Sequence, residues 1–191
     1  MVGEINDSKV RFPIYDNEKR IICDYLDIKV AEYNGTEELA INILHAIELT
    51  HSVFEKTITL SYGGRENFPY DYSPVVYIWY KILQNAIQEK FVPILKKEFP
   101  NFKSKYGFEI SGFSYEQFTM DFICDIVTRY EEEIVQQDKY LKKKVDFFVH
   151  GDFGHIKSII FAANRQIIGK EKLEDFFDLI FKNLKIWITK Y

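Results

Sequence analysis

The sequence predicts a helix-dominated α+β fold, in which about five main helices pack around a central helix at 73–99 and a few short strands form a small sheet or hairpin. Three observations predict this fold. Apolar residues cover most of the circumference of segment 73–99, further segments have the spacing of amphipathic helices, and several short runs are β-branched or alternating. We expect one globular domain over residues 1–191, because no linker-like change in composition divides the chain.

The central helix is predicted by its start signal and by its apolar surface. Ser73 can cap a helix, and Pro74 suits the first helical position, where no intrahelical N–H bond is needed. Apolar side chains follow in two adjacent rows, so we expect neighbouring elements to cover this helix on several sides. The rows are Val76, Trp79, Tyr80, Leu83 and Ile87, and Val75, Ile78, Ile82 and Ala86. Pro93 predicts a kink or break near Lys90.

Four further segments have helical signals. An amphipathic helix of about five turns starts near Glu37. Ser114 and Gln117 have the form of a capping box, which predicts a helix from there to about residue 143. A shorter helix is predicted at 156–168. A terminal helix is predicted at 170–189, where acids precede lysines in the order that the helix dipole favours.

Short strands are predicted where β-branched or alternating runs occur. The clearest is 57–62, a β-branched run that precedes two glycines, and weaker signals lie at 10–14, 27–33 and 145–149. The segment 101–113 is interpreted as a loop that can hold one more strand.

Charge and cysteine content narrow the class of protein. The net charge is −4, with 29 acidic and 25 basic residues, so no basic field favours nucleic acid as a partner. Cys23 and Cys124 are too few and too far apart for a disulfide framework, which suits a reducing compartment. The N-terminus is polar and no apolar run approaches the ~20 residues of a membrane span. We therefore expect a cytoplasmic protein that does not enter a membrane.

Aromatic residues supply the first functional hypothesis. They make up 17% of the chain, and several cluster before the central helix. The predicted interface is Tyr62, Phe68, Tyr70, Tyr72 and Tyr77. Rigid amphipathic rings on a loop are typical of protein interfaces, although the same rings can also pack half-buried. Because the chain carries no complete catalytic motif, we expect a small protein without a cofactor that binds and inhibits a protein partner, like an immunity protein, antitoxin or inhibitor.

An alternative hypothesis is a metal-dependent hydrolase or nuclease. His150, Asp152 and His155 lie within six residues beside two glycines, and could place two imidazoles and a carboxylate on one Zn, Mn or Fe ion. An aspartate with glycines also suits an ordinary turn between two elements.

Two charged groups have functional and structural interpretations. Asp121, Asp125 and Glu132 share one helical row. They could bind a divalent cation with a second helix, or form a solvated face with an ion pair from Asp125 to Arg129. The lysines at 142–144 could contact RNA or an acidic partner, or simply solvate a helix end.

Overall fold

A computed structural model describes the backbone of residues 16–62 and 70–190, and the side chains of residues 17–55 and 70–190. Within these ranges the chain forms eight α-helices, with four short 3₁₀ turns among the connections. The helices are α1 Asp16–Leu26, α2 Glu37–Tyr62, α3 Ser73–Glu98, α4 Met120–Arg129, α5 Glu131–Gln137, α6 Lys142–Val149, α7 Asp152–Ala163 and α8 Lys170–Ile188. The 3₁₀ turns are Val30–Glu32, Ile110–Gly112, Tyr115–Gln117 and Lys139–Leu141.

The predicted α+β class is wrong. The described residues are mostly helical and contain no sheet, only two isolated bridges that join Tyr33 to Thr189 and Lys103 to Glu109. The predicted strand at 57–62 forms the last turns of α2, the one at 145–149 belongs to α6, and 27–33 contains a 3₁₀ turn. The strand predicted at 10–14 lies outside the described residues.

Helical context explains two of these errors. A formed helix adds one hydrogen bond for each further residue, so α2 continues through a β-branched run at a cost of a few tenths of a kcal/mol per residue. Leu141, in the turn just before α6, and Val145 and Phe148 within α6 are buried at i, i+4 and i+7, which is helical spacing. The five-residue run 145–149 is too short to show that period alone.

The central position of α3 is confirmed. Trp79, Leu83 and Ile87 are completely buried, and α3 packs against α2, α7 and α8. The indole N–H of Trp79 donates to the hydroxyl of Thr50 on α2 at 3.0 Å, and this hydroxyl donates to the carbonyl of Ala46 at 2.7 Å. The helix continues past its internal proline to Glu98, so the chain does not break there.

Asp71, and not Ser73, caps the start of α3. The carboxylate of Asp71 accepts hydrogen bonds from the backbone N–H of Ser73 at 3.0 Å and from its hydroxyl at 2.6 Å. It also accepts from the backbone N–H of Ile168, between α7 and α8, at 3.1 Å. The N–H of Tyr72 adds a bond to the Ile168 carbonyl at 3.0 Å. One carboxylate therefore connects the start of the central helix to a connection almost a hundred residues later.

The single helix predicted from Ser114 to about residue 143 is divided. The capping box is present but closes only a 3₁₀ turn, and the side chain of Thr119 caps α4 by accepting from the N–H of Phe122 at 3.3 Å. Tyr130 separates α4 from α5. Helix α7 also starts before the predicted 156, at Asp152. No helix in the described ranges combines the length and the apolar character that crossing a membrane requires.

Candidate functional site

The predicted tyrosine-rich interface lies mostly against the body of the molecule. Tyr72 is only 5% exposed, and Tyr70 is half-buried with its ring 5.3 Å from that of Tyr72. Tyr77 is 37% exposed, and its hydroxyl donates to Asn164, the residue that follows α7, at 2.8 Å. Phe68 lies outside the described residues, and for Tyr62 only the backbone, at the end of α2, is described. Among the described side chains of this predicted interface, Tyr77 alone is exposed.

The structure separates the three predicted metal ligands into different contacts. His150 follows α6 and lies 3.3 Å from Asp146, measured from its Nε2 to the carboxylate. Asp152 opens α7 and accepts hydrogen bonds from Lys182 at 2.9 Å and Asn183 at 3.1 Å, both on α8. His155 is exposed on α7. Among the described residues, no group of three or more histidines, cysteines or carboxylates is arranged to hold a metal ion.

The ionised carboxylate of Asp152 is stabilised by its contact with α8. Burial alone would raise the pKa of this carboxyl, but the hydrogen bonds from Lys182 and Asn183 outweigh burial and hold the pKa below its ordinary value. Gly151, with φ of +106°, turns the chain between α6 and α7 in the left-handed region. The segment is therefore a helix-to-helix turn that the hydrogen bonds of Asp152 fix to α8.

A second loop, at 103–109, has large aromatic rings exposed to solvent, unlike most of the tyrosine-rich segment. The N–H of Ser104 donates to the carbonyl of Phe108 and the N–H of Gly107 donates back to the carbonyl of Ser104, each at 2.8 Å. Gly107 has φ of +85°. These features are typical of a three-residue loop that a left-handed glycine closes. Lys103 and Glu109 pair at its base through one of the isolated bridges.

Aromatic stacking fixes the base of the 103–109 loop. The ring of Phe102 lies between Phe99, at 4.7 Å, and Tyr130, at 4.0 Å and nearly parallel. The hydroxyl of Tyr130 accepts a hydrogen bond from the backbone N–H of Lys103 at 3.1 Å. After the loop, Ile110 is completely buried and its N–H donates to the Phe102 carbonyl at 2.8 Å. The chain on both sides of the loop is therefore packed against the core.

The tip of the 103–109 loop carries two large exposed rings. Tyr106 is 74% exposed and Phe108 is 65% exposed. The ammonium of Lys105 lies 5.1 Å from the centre of the Tyr106 ring, within the range of a cation–π contact. A fixed loop thus presents a phenol, a phenyl ring and a positive charge to solvent.

Beside this loop an open groove of about 900 Å³ lies between α4 and the turn from α6 to α7. Lys105 of the loop forms part of its wall. The remaining lining consists of Asp121, Cys124, Asp125, Thr128 and Arg129 from α4, Phe148, Val149 and Gly151, and Phe153, Gly154 and Lys157 from α7. Arg129 donates to both carboxylate oxygens of Asp125 at 3.0 and 3.1 Å, which confirms the predicted pair, and Lys157 pairs with Asp121.

The comparisons with known proteins give no relatives. No family model, curated protein or solved structure matches this chain.

The exposed rings at 106 and 108 are not in the predicted site, although the sequence carries a signal for them. A glycine in a short polar tip between two runs with apolar residues, Phe102 on one side and Ile110 on the other, is typical of a tight hairpin-shaped loop. What the sequence does not show is which rings the neighbouring helices cover. Tyr72 and Tyr106 both lie in connections between helices, yet one is buried and the other exposed.

Proposed function

We propose that this protein binds a protein partner, and that the 103–109 loop is the centre of the contact. The observation that supports the proposal is the exposure of Tyr106 and Phe108 on a loop that the half-buried Phe102 and the buried Ile110 hold at its two ends. Two large rings exposed within three residues of each other add little to the stability of a monomer in water, whereas at an interface each ring can supply contact area of 150 Å² or more.

Rigidity is the second reason for the proposal. An interface loop that is ordered only on binding costs about 0.5–1.5 kcal/mol for each immobilised side chain. In the 103–109 loop, the bonds between Ser104 and Phe108 and the stacking of Phe102 fix the backbone before any partner arrives. Tyrosine also has few rotatable bonds for its area, so little further entropy is lost.

Inhibition is the proposed consequence of binding, in the manner of an immunity protein, antitoxin or other small inhibitor. A short, fixed loop with two exposed rings can fill a cleft of its partner and so block it. The inhibitory part of the proposal is tested separately, by titrating the partner's activity once the partner is known. If a saturating amount of this protein leaves the partner's activity unchanged, it binds the partner without inhibiting it.

Site-specific photo-crosslinking tests the binding proposal. A photo-reactive phenylalanine analogue replaces Tyr106 in one variant and Tyr140, which is 75% exposed on a different turn, in the control variant. Irradiation in cells of the native source should give a discrete protein adduct from position 106 only. Adducts of the same proteins from both positions, or none from position 106, would refute the proposal.

A membrane surface is the competing class of partner, because exposed rings next to a lysine can also enter a lipid interface. Sedimentation with vesicles of phosphatidylserine and phosphatidylcholine distinguishes the two. The protein should stay in the supernatant, and pelleting that a Tyr106→Ser/Phe108→Ser variant abolishes would assign the loop to lipid.

A further inference from the structure

We infer that the groove between α4 and the α6–α7 turn receives an extended segment of the protein partner, in which a carboxylate lies next to an apolar side chain. This inference rests on the proposed function and names the chemistry of the partner. It is carried by three features of the groove: its continuity with the 103–109 loop, its balance of charge and its apolar lining.

Continuity follows from Lys105. This residue belongs to the tip of the 103–109 loop, where its ammonium lies 5.1 Å from the centre of the Tyr106 ring, and it also lines the groove. A partner that covers the two rings at the tip therefore has the mouth of the groove directly beside it. A chain segment that leaves the loop in this direction must pass the ammonium of Lys105.

The charges in the groove favour an acidic segment. Both carboxylates in its lining are already engaged, that of Asp125 by Arg129 and that of Asp121 by Lys157. Lys105 forms no ion pair with any carboxylate in the described part of the chain, and its ammonium instead lies over the Tyr106 ring. The lining thus has three cations and two anions, with one cation left to attract a negative group.

The apolar residues of the lining favour the second feature of the proposed segment, an apolar side chain beside its carboxylate. Phe148, Val149 and Phe153 lie in the groove beside the thiol of Cys124. Phe148 and Phe153 are 5% and 3% exposed, so each shows only its edge at the floor of the groove, and the half-buried Val149 adds the more accessible apolar surface. The groove is open, and its volume of about 900 Å³ leaves room for several side chains of a bound segment.

Thr128 provides a test inside the groove that leaves the loop unchanged. This residue is exposed on α4 and lines the groove. Thr128→Glu adds a carboxylate to the site and Thr128→Lys adds an ammonium on a side chain of similar length, and both new residues favour helix. The matched control is the same pair of changes at Gln136, which is exposed on α5 and is not in the lining.

The probes are two fluorescein-labelled peptides of equal length, one with aspartates beside leucine and phenylalanine, the other with lysines in place of the aspartates. Anisotropy titration should show saturable binding of the acidic peptide only. Affinity should be roughly tenfold weaker for Thr128→Glu than for Thr128→Lys, as expected for reversing one nearby charge. The Gln136 pair should differ less than twofold. In ¹⁵N spectra the amide signals of Gly151 and Gly154 should shift.

Three outcomes would overturn the inference: no saturable binding of the acidic peptide, equal binding of the basic peptide, or the same ratio for the Thr128 and Gln136 pairs. Its failure can be told apart from failure of the proposed function. If the crosslinked partner binds the Thr128 variants equally but loses affinity for Tyr106→Ser/Phe108→Ser, the loop is an interface and the groove is not. If it binds all of these variants equally, both proposals fail.

Discussion

Alanine substitution at two glycines should change stability in opposite directions. Gly107 has φ of +85°, in the left-handed region, and an added Cβ would meet no atom within 4 Å. Gly154 lies in α7, its φ is not left-handed, and an added Cβ there would also meet nothing. Neither substitution creates a clash, so the backbone conformation alone determines the sign of each effect.

The magnitudes follow from that conformation. An alanine in the left-handed region costs roughly 1–2 kcal/mol, so Gly107→Ala should lower the free energy of unfolding by about 1 kcal/mol after the smaller entropy of the unfolded chain is counted. Alanine is favoured over glycine within a helix, so Gly154→Ala should raise it by about 0.5 kcal/mol. For a chain of this length, 1 kcal/mol corresponds to about 2–4 °C in Tm.

Thermal unfolding followed by circular dichroism measures the two shifts. Amide hydrogen exchange then shows where the cost of Gly107→Ala falls. The N–H of Ser104, which donates to Phe108 across the loop, should exchange roughly fivefold faster in that variant for each kcal/mol lost. Amides of α7 should keep their protection.

Two results would refute this reasoning. A Gly107→Ala variant as stable as the wild type, with Ser104 protected as before, would mean that residue 107 does not adopt the left-handed conformation. A Gly154→Ala variant that loses stability would mean that the start of α7 is not helical or that its surroundings are closed.

Three further predictions concern the core and the connections between helices. Thr50→Val should lower the free energy of unfolding by about 1–3 kcal/mol, because it leaves the buried indole N–H of Trp79 without its acceptor. In a Trp79→Phe background the same Thr50→Val change should cost much less, because no indole N–H remains, and denaturant titrations of the four proteins measure both effects. Burial raises the pKa of Asp71, but its hydrogen bonds lower the pKa more. The stability that this carboxylate adds should therefore be constant above about pH 5 and fall as pH drops through its folded-state pKa. In urea titrations, the free energies of unfolding of the wild type and Asp71→Asn should converge towards acid pH. Burial lowers the pKa of Lys144 to about 8, so unfolding titrations of the wild type should show stability rising with pH from about 8 towards 10, and Lys144→Met should lack this rise.

The central and terminal helices could be predicted from the sequence because each contains its own signal. The apolar rows of 73–99 and the single apolar stripe of 170–189 extend over five or more turns, and no alternative period fits them. Pairing between Asp125 and Arg129 could be predicted for the same reason, since i, i+4 spacing alone brings them together.

The strands could not be judged from local sequence. A strand needs a partner, and the run at 57–62 has β propensity while continuing a helix that is already formed. The site has a similar limitation. Whether Tyr72 or Tyr106 faces solvent depends on which helix passes over each ring, and the order of residues in a loop does not contain that information.

The affinity of the crosslinked partner for three forms of the protein tests the role of the 103–109 loop most directly. Isothermal titration calorimetry would compare the wild type, Tyr106→Ser/Phe108→Ser and the control Tyr140→Ser, each with its folded state checked by circular dichroism. Loss of two central aromatic contacts should weaken binding about 30-fold or more, with the control within twofold of wild type. Equal affinity of all three forms would show that the exposed rings at 106 and 108 are not where this protein meets its partner.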